Sequence, residues 1–313
     1  MKTRANGTRS LVTISWSLAL ALSIAGLSAA SPEDLDEIAS LAFVHAAVIP
    51  MDREQVLSDQ TVIVSDGRIT EIGPTQSTRV PAGVTQIDAT DHFLIPALCD
   101  MHVHVMGEAW NIALPPDAQI RGADLDMSAF LLPYLANGVT TVQVLSATAD
   151  HLALRDRIRR GEVLGPRLIL AQMIDGPDRA WPPPLSTWVD SPEAARAAVL
   201  EAGEAGYDAM KVYSFLDQAS YDSIVATARE VDIDVIGHIP MALSLEYVLT
   251  AGQRLIAHSE EVTKHAQGDY SRENIDSLAK TIAESDTWLV PTLVTTRNIL
   301  ALFDDLEGQL SRP

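Results

Sequence analysis

The chain has 313 residues, of which 47% are hydrophobic, so it can bury the core of one large domain or of a large and a small one. Its formal net charge of −20 argues against binding to nucleic acid, because an acidic protein repels the phosphate backbone, and we attribute the acidity to solubility. The single cysteine, Cys99, excludes an internal disulfide bond.

Residues 1–30 have the layout of a secretory signal peptide. A basic start precedes an uncharged apolar run at 11–27, and small residues follow at 28–30. A membrane anchor is the alternative, because the run is only just long enough to span a bilayer. We expect cleavage near Ala30 and a secreted or periplasmic protein that has no membrane contact after cleavage.

Residues 31–92 predict a small N-terminal domain that is β-sandwich-like. Two β-rich stretches, 61–64 and 68–72, flank an Asp-Gly pair, which is a strong signal for a hairpin. A further short strand is predicted at 84–89, and glycine and proline punctuate the turns between these stretches.

Residues 93–313 alternate between apolar strands and amphipathic helices. The predicted strands are 93–105, 139–145, 167–173, 208–214, 233–238, 254–258 and 287–294. Such strands are apolar on both faces, which is typical of a parallel sheet built from βαβ units and covered by helices. One helix is predicted to start at Ser191-Pro192-Glu193 and to stop at Gly206. A doubly wound sheet and a (β/α)8 barrel both fit this pattern.

Histidine closes three of the predicted strands. Asp100, His102 and His104 share one face of the first strand, because side chains alternate along a strand, and two imidazoles one pleat apart can bind the same metal ion. His238 and His258 end two later strands. A buried, hydrogen-bonded histidine explains each one singly, but three in succession indicate an active site, which parallel (β/α) folds place at the carboxyl ends of their strands.

Lys211 lies in the middle of an apolar strand, where an unpaired ammonium group is expensive to bury. Either a carboxylate neutralises it, which the lysine alone favours, or the amine is deprotonated and modified. A lysine carbamate formed with CO2 would offer two oxygens to bridge two cations. Tyr213 shares a face with Lys211 and is a candidate for substrate contact, with a role in the core as the alternative.

Six short motifs follow one another along the chain in a recognisable order. They are LIPALCDMHVH (94–104), NGVTT (137–141), MKVY (210–213), GHIP (237–240), AG with IAH (251–258) and VPTL (290–293). Together they resemble the amidohydrolase superfamily, in its imidazolonepropionase-like and prolidase-like branch, from residue 42 to residue 300.

The resemblance implies a TIM-type (β/α)8 barrel that holds two divalent metal ions, with zinc preferred because the ligands are imidazoles. His102 and His104 would bind the first ion, and His238 and His258 the second. Lys211 would be carbamylated and bridge the two ions, so the resemblance reverses the preference for a salt bridge at this lysine.

One element of the family pattern has no counterpart here. Family members carry an aspartate at the end of barrel strand 8 that acts as metal ligand and proton shuttle. In this chain strands 1–7 are followed by a predicted helix at 296–310, and we nominate neither Asp304 nor Asp305 within it as the acid–base group. We therefore expect an incomplete barrel and a chain that is truncated at its carboxyl end.

The activity implied by the resemblance is hydrolysis of a C–N bond in a small amide or dipeptide by a hydroxide that bridges the metal ions. Dipeptidase-like activity is the first expectation, and a lactone or phosphoester hydrolase on the same site is one alternative. The other alternative is an inactive fragment that serves only as a metal- or partner-binding module. The sequence carries no signal for the oligomeric state.

Three further expectations concern residues around the proposed site. Cys99 points away from His102 and His104, so it is expected to be a small buried hydrophobe beneath the helix layer. His151 and His265 have polar neighbours and are expected at the surface or in loops. The proline- and aromatic-rich segment 176–188 is either part of a substrate wall or a rigid surface loop.

Overall fold

The computed structural model describes residues 40–105, 107, 111, 127–178, 181–306 and 308. The predicted signal peptide and the acidic segment after it lie outside these residues. The chain divides into two compact units, with the boundary between Pro96 and Ala97. No helix in the described part of the chain has both the length and the apolar character needed to cross a bilayer.

The first unit is a five-stranded mixed sheet. Its strands are β1 (Ser40–Val48), β2 (Leu57–Ser65), β3 (Arg68–Pro74), β4 (Thr85–Asp88) and β5 (Phe93–Leu94). The order is β3-β2-β1-β4, and β5 also pairs with β1. The hairpin between β2 and β3 turns at Asp66 (φ 50°) and Gly67 (φ 70°), as a two-residue turn with positive φ at both positions requires. This confirms the predicted Asp-Gly hairpin.

The second unit alternates parallel strands with helices. Its strands are β6 (Leu98–Val103), β7 (Val139–Val144), β8 (Arg167–Asp175), β9 (Thr187–Trp188), β10 (Ala209–Val212), β11 (Asp234–Gly237), β12 (Leu255–Ala257) and β13 (Trp288–Val290). Its helices are α1 (Leu132–Ala136), α2 (Ala149–Arg159), α3 (Pro192–Ala205), α4 (Gln218–Glu230), α5 (Leu245–Ala251), α6 (Ser259–Thr263), α7 (Arg272–Ala283) and α8 (Leu293–Asp304). Seven strands run parallel in the order β6-β7-β8-β10-β11-β12-β13, and the short β9 lies beside β8.

These seven strands form a nearly closed barrel. The rings of His102, on β6, and His258, just after β12, have centroids 4.4 Å apart. Five strand spacings separate β6 from β12, and in a flat sheet they would place the two residues about 24 Å apart. The sheet must therefore curl, which confirms the predicted barrel with strands 1–7 and excludes the doubly wound alternative.

Local signals place α3 as the sequence predicts. The Ser191 hydroxyl accepts a hydrogen bond from the Ala194 amide (3.2 Å), Pro192 occupies the first turn, and Gly206 ends the helix with φ 87°. Its inner face consists of the small or branched residues Ala195, Ala198, Val199 and Ala202, all buried. Small side chains on this face let the helix lie close to the sheet.

Two predicted strands differ from the observed ones at proline residues. The predicted strand 93–105 is divided around Pro96 into β5, which joins the first sheet, and β6, which joins the second. The predicted strand 287–294 ends before Pro291, and α8 begins at Leu293 rather than at residue 296. Proline lacks an N–H group to continue a ladder of hydrogen bonds, so it ends pairing in both places.

The expected burial of Cys99 is wrong, because its side chain is exposed. It lies on β6, an end strand of the seven-stranded path, and its neighbour Leu98 is also 51% exposed. The predicted helix layer does not shield this end of β6 among the described residues.

The expected surface position of His151 is wrong as well, because its exposed fraction is 0%. Its Nε2 donates to the Val105 carbonyl (2.8 Å), and its Nδ1 accepts from the Thr148 amide at the start of α2 (3.0 Å). Both nitrogens are used, which satisfies this histidine in the core. His265 is half-buried in the 3-10 turn Lys264–Ala266.

Candidate active site

The five residues singled out in the sequence lie at the carboxyl rim of the barrel. His102 is on β6 and His104 directly follows that strand. Lys211 is on β10, while His238 and His258 directly follow β11 and β12. Because all these strands are parallel, their carboxyl ends meet at one rim, where βα loops build the active sites of barrel enzymes.

The four imidazoles form a continuous chain of ring contacts. The His102 and His104 centroids are 5.2 Å apart, and the His102 and His258 centroids are 4.4 Å apart. His238 meets His258 edge-on at 5.1 Å. Residues 102 and 258 are far apart in sequence, so only the closure of the barrel brings these rings together.

The donor geometry fits a divalent metal ion at the first pair. The Nε2 atoms of His102 and His104 are 3.3 Å apart. Two imidazole nitrogens bound to one tetrahedral zinc ion at their usual bond lengths are also about 3.3 Å apart. His238 Nε2 and His102 Nδ1 are both buried without a hydrogen-bond partner in the described residues.

The site is less complete beyond that pair. In the described ranges, no three or more His, Cys, Asp or Glu side chains stand close enough to form a metal site by themselves. The donor atoms therefore fit a metal ion at His102 and His104. The neighbouring groups that could complete its coordination are His238, His258 and Lys211.

The electrostatic environment keeps the imidazoles neutral. Burial, followed by the charge of Lys211, lowers the pKa of His102 to about 2 and of His104 to about 3. Burial and then His238 lower the pKa of His258 to about 4, and burial lowers the pKa of His238 despite its bond to Glu261. A neutral imidazole is the form that binds a metal ion.

Lys211 is almost completely buried, with 2% of its surface exposed. Burial lowers the pKa of its amine to about 7, although the charge of Glu261 opposes the shift. No carboxylate among the described residues lies within 4.0 Å of its amine, so the salt-bridge alternative has no partner there. Its Nζ lies 5.3 Å from the centroid of the Tyr213 ring, which in turn stacks on His238.

Three polar partners of the histidines were not found in the sequence. Ser146 Oγ lies 2.8 Å from His104 Nδ1, and Thr292 Oγ1 lies 2.9 Å from His258 Nδ1. The third is Glu261, whose Oε1 lies 3.1 Å from His238 Nδ1. Each belongs to a loop or helix start after a different strand, so the only available signal was a polar residue near a strand end.

Tyr213 lies beside the histidine cluster. Its ring stacks on His238 with centroids 3.9 Å apart, and its hydroxyl accepts a hydrogen bond from Trp181 Nε1 (3.2 Å). Trp188 Nε1 donates to the Trp181 carbonyl (2.8 Å). The described part of segment 176–188 therefore packs against Tyr213, beside the site, in agreement with the substrate-wall alternative.

The fold is shared with solved hydrolase structures. A Bifidobacterium longum protein assigned as a prolidase is 25% identical with a TM-score of 0.61, covering 82% of this chain and 61% of that one. An amidohydrolase is 22% identical with a TM-score of 0.67, covering 85% and 69%. A Xaa-Pro dipeptidase with methionine in its active site is 21% identical with a TM-score of 0.64, covering 82% and 67%.

These matches rest on structure. Neither a protein-family model nor a curated protein sequence matches the chain. The chain spans 61% of the length of the Bifidobacterium longum protein. The structural matches confirm the resemblance read from the motifs: this chain has the fold of the amidohydrolase superfamily.

Proposed function

We propose that this protein is a metal-dependent hydrolase of the amidohydrolase type that cleaves a C–N bond in a small amide or dipeptide. The observation that carries the proposal is the meeting of four neutral imidazoles and one buried lysine, which pairs with no described carboxylate, at the carboxyl rim of the barrel. Solved structures of the same fold include a Xaa-Pro dipeptidase and molinate hydrolase, which supports this class of reaction.

The residues divide into two ligand pairs in this proposal. His102 and His104 would hold one divalent ion and His238 and His258 a second, with zinc the first choice for imidazole ligands. When bound, such ions supply an activated water and polarise the carbonyl of the substrate. Lys211 and His238 are buried, and this burial strengthens the electrostatic interactions within the site.

Lys211 would link the two pairs as a carbamate. Because burial lowers its pKa to about 7, much of the amine is neutral at physiological pH. The nitrogen lone pair can then attack the carbon of CO2: a C–N bond forms, one C=O π bond opens and leaves its electron pair on oxygen, and a proton on nitrogen leaves to solvent. The resulting carbamate offers two oxygen atoms as metal ligands, whereas the amine offers a single nitrogen.

The test is metal content and hydrolysis measured together on the full chain. The protein is stripped with a chelator, reloaded with zinc, and assayed on dipeptides, N-acyl amino acids, a lactone and a phosphoester. We expect C–N hydrolysis that disappears on stripping and returns with zinc. His102→Asn should lose zinc and activity, while the matched change His265→Asn outside the cluster should retain both.

Each alternative has its own outcome in this assay. Activity that survives thorough stripping would overturn the metal mechanism. Turnover of the lactone or phosphoester alone would replace the C–N assignment, and stoichiometric zinc without turnover of any substrate would favour a metal-binding module.

A further inference from the structure

One side of the active-site rim consists of three loops that are joined through their backbones. The loops follow β8, β10 and β11, which are neighbours in the sheet. The buried Asp175 carboxylate accepts hydrogen bonds through Oδ1 from the amides of Gly176 (2.9 Å) and Phe215 (2.7 Å), which joins the first loop to the second. The Met241 amide donates to the Ser214 carbonyl (2.9 Å), which joins the second loop to the third. Together the loops form one connected wall.

This wall lies against the proposed metal ligands. Tyr213, on the second loop, stacks its ring on His238 with centroids 3.9 Å apart. Its hydroxyl accepts a hydrogen bond from Trp181 on the first loop (3.2 Å), and the Trp181 carbonyl accepts one from Trp188 (2.8 Å). A substrate bound at the four imidazoles would therefore lie beside these loops.

Each loop leaves a large apolar side chain exposed to solvent. Trp188 is 37% exposed, Phe215 is 36% exposed and Met241 is 64% exposed. A single exposed apolar residue is common, but three on adjoining loops beside a site are typical of a binding surface. Covering them with a ligand removes apolar area from water, which favours binding.

The sequence around these three side chains is uncharged. The described segments 181–188, 213–216 and 238–244 contain no Asp, Glu, Lys or Arg. A charged substituent placed against them would lose water without gaining an ionic partner there, whereas an apolar one would gain by burial. The surface therefore fits a bulky apolar side chain better than a polar or charged one.

We propose that this apolar wall, formed by Trp181, Trp188, Tyr213, Phe215 and Met241, is the subsite that determines specificity by holding a bulky apolar side chain of the substrate. Its part in catalysis rests on the proposed function, whereas the binding of an apolar group does not. Within the proposed class of substrates, the wall selects side chains such as those of phenylalanine and leucine over those of serine, aspartate and lysine.

This preference can be measured on the zinc-loaded, full-length protein. N-acetyl amino acids, and dipeptides with glycine in both orders, present the five side chains at each position in turn. We expect kcat/KM to be at least about 10-fold higher for phenylalanine or leucine than for the other three at one position, since apolar pockets discriminate by about this factor per methylene group. Phe215→Ser and Met241→Ser should each lower that ratio at least about fourfold, which corresponds to one buried methylene group. Phe303→Ser is the matched control, because it makes the same change at a residue 84% exposed on α8, and it should keep the wild-type ratio.

Binding gives a second readout that does not need turnover. Saturation-transfer NMR on zinc-stripped, full-length protein compares N-acetyl-phenylalanine amide with N-acetyl-serine amide, read at the acetyl methyl group that both probes share. We expect stronger transfer to the phenylalanine probe in the wild type. The difference should shrink in Phe215→Ser and Met241→Ser and stay unchanged in Phe303→Ser.

The two readouts separate the subsite from the proposed function. Preferential binding of the phenylalanine probe without hydrolysis of any substrate would contradict the proposed function and leave the subsite intact. In active protein, a ratio near one or in favour of polar side chains, or a preference unchanged in the folded variants, would overturn the subsite. In inactive protein, equal transfer to the two probes would overturn it. Should Phe215→Ser fail to fold, Met241→Ser, at the more exposed position, decides.

Discussion

Lys211 brings an ionisable amine into a barrel interior in which no described carboxylate pairs with it. A buried amine of this kind is tolerated when it loses its proton, when it is covalently modified, or when neighbouring ligands change its charge. The four surrounding imidazoles add no negative charge. Lys211 therefore does not stabilise the fold through an ion pair, and its presence is best explained by a role in the site.

Replacing Lys211 separates its effect on the stability of the fold from its proposed role in metal binding. Lys211→Met keeps most of the side-chain volume and removes the amine, so metal-free protein should gain ~1–4 kcal/mol in its free energy of unfolding. Its zinc content should fall, because the proposed bridging group is lost. Urea unfolding and metal analysis check the two effects, with Lys280→Met at the surface as control. Full zinc content in Lys211→Met would contradict the bridging role.

His151 should make the protein less stable in acid. Burial lowers its pKa in the folded protein, whereas in the unfolded chain it is about 6.5. Below that pH the unfolded state binds more protons, so the stability is complete above about pH 6.5 and is lost as the pH falls. His102, His104 and His258 act in the same direction.

His151→Gln should therefore flatten the pH dependence without abolishing it. Glutamine can still accept from the Thr148 amide, as it does in a capping box, but it cannot become protonated. Denaturant unfolding of metal-free protein at pH 7 and pH 5 should show a smaller loss of stability in this variant than in the wild type. His92→Gln, at an exposed position, should keep the wild-type slope, and an unchanged slope in His151→Gln would refute the assignment.

At the scale of elements, the junction of β10 and β11 sets the position of the site. Gly237, the last residue of β11, has φ 118°, and a Cβ atom there would lie 2.3 Å from the Val212 carbonyl oxygen and 2.9 Å from Lys211 Cγ. Only glycine lets the two strands approach this closely. The same residue immediately precedes His238, so the backbone conformation of Gly237 helps to set the position of this proposed ligand.

Gly237→Ala should therefore damage both stability and metal binding. We expect the free energy of unfolding to fall by at least ~2 kcal/mol, from backbone strain and overpacking combined. Gly83→Ala is the control for backbone strain alone, because Gly83 has φ 85° but open space where a Cβ atom would lie. This substitution should leave the zinc content unchanged. Equal effects of the two substitutions would show that the close approach of the strands is unimportant.

At the scale of the whole molecule, we propose that the protein is exported. The basic start, apolar run and small residues of positions 1–30 predict cleavage after Ala30, although they lie outside the described residues. Expression of the full chain in a bacterial host should yield a protein in the periplasmic or secreted fraction whose N-terminal sequence starts at Ser31. An uncleaved chain recovered with the membrane fraction would favour the anchor instead.

The local pattern along the chain was sufficient for the type and order of the elements. Alternation of strands and helices, the Asp-Gly hairpin and the cap at Ser191 are properties of a few neighbouring residues, and so they can be recognised without the fold. The histidines at strand ends could be recognised for the same reason, since the rim of a parallel sheet is where each strand stops.

Barrel closure, by contrast, was decided by tertiary structure, because a doubly wound sheet and a barrel share one local pattern and differ only in curvature accumulated over many strands. The contact between the rings of His102 and His258 follows from that closure. Contacts between neighbouring βα units also depend on the packed chain: Glu261 reaches His238, and His151 becomes buried through its bond to Val105. The exposure of Cys99 depends on β6 being the end strand of the sheet. Side-chain alternation indicates which face a residue occupies, but only the packed chain determines what covers that face.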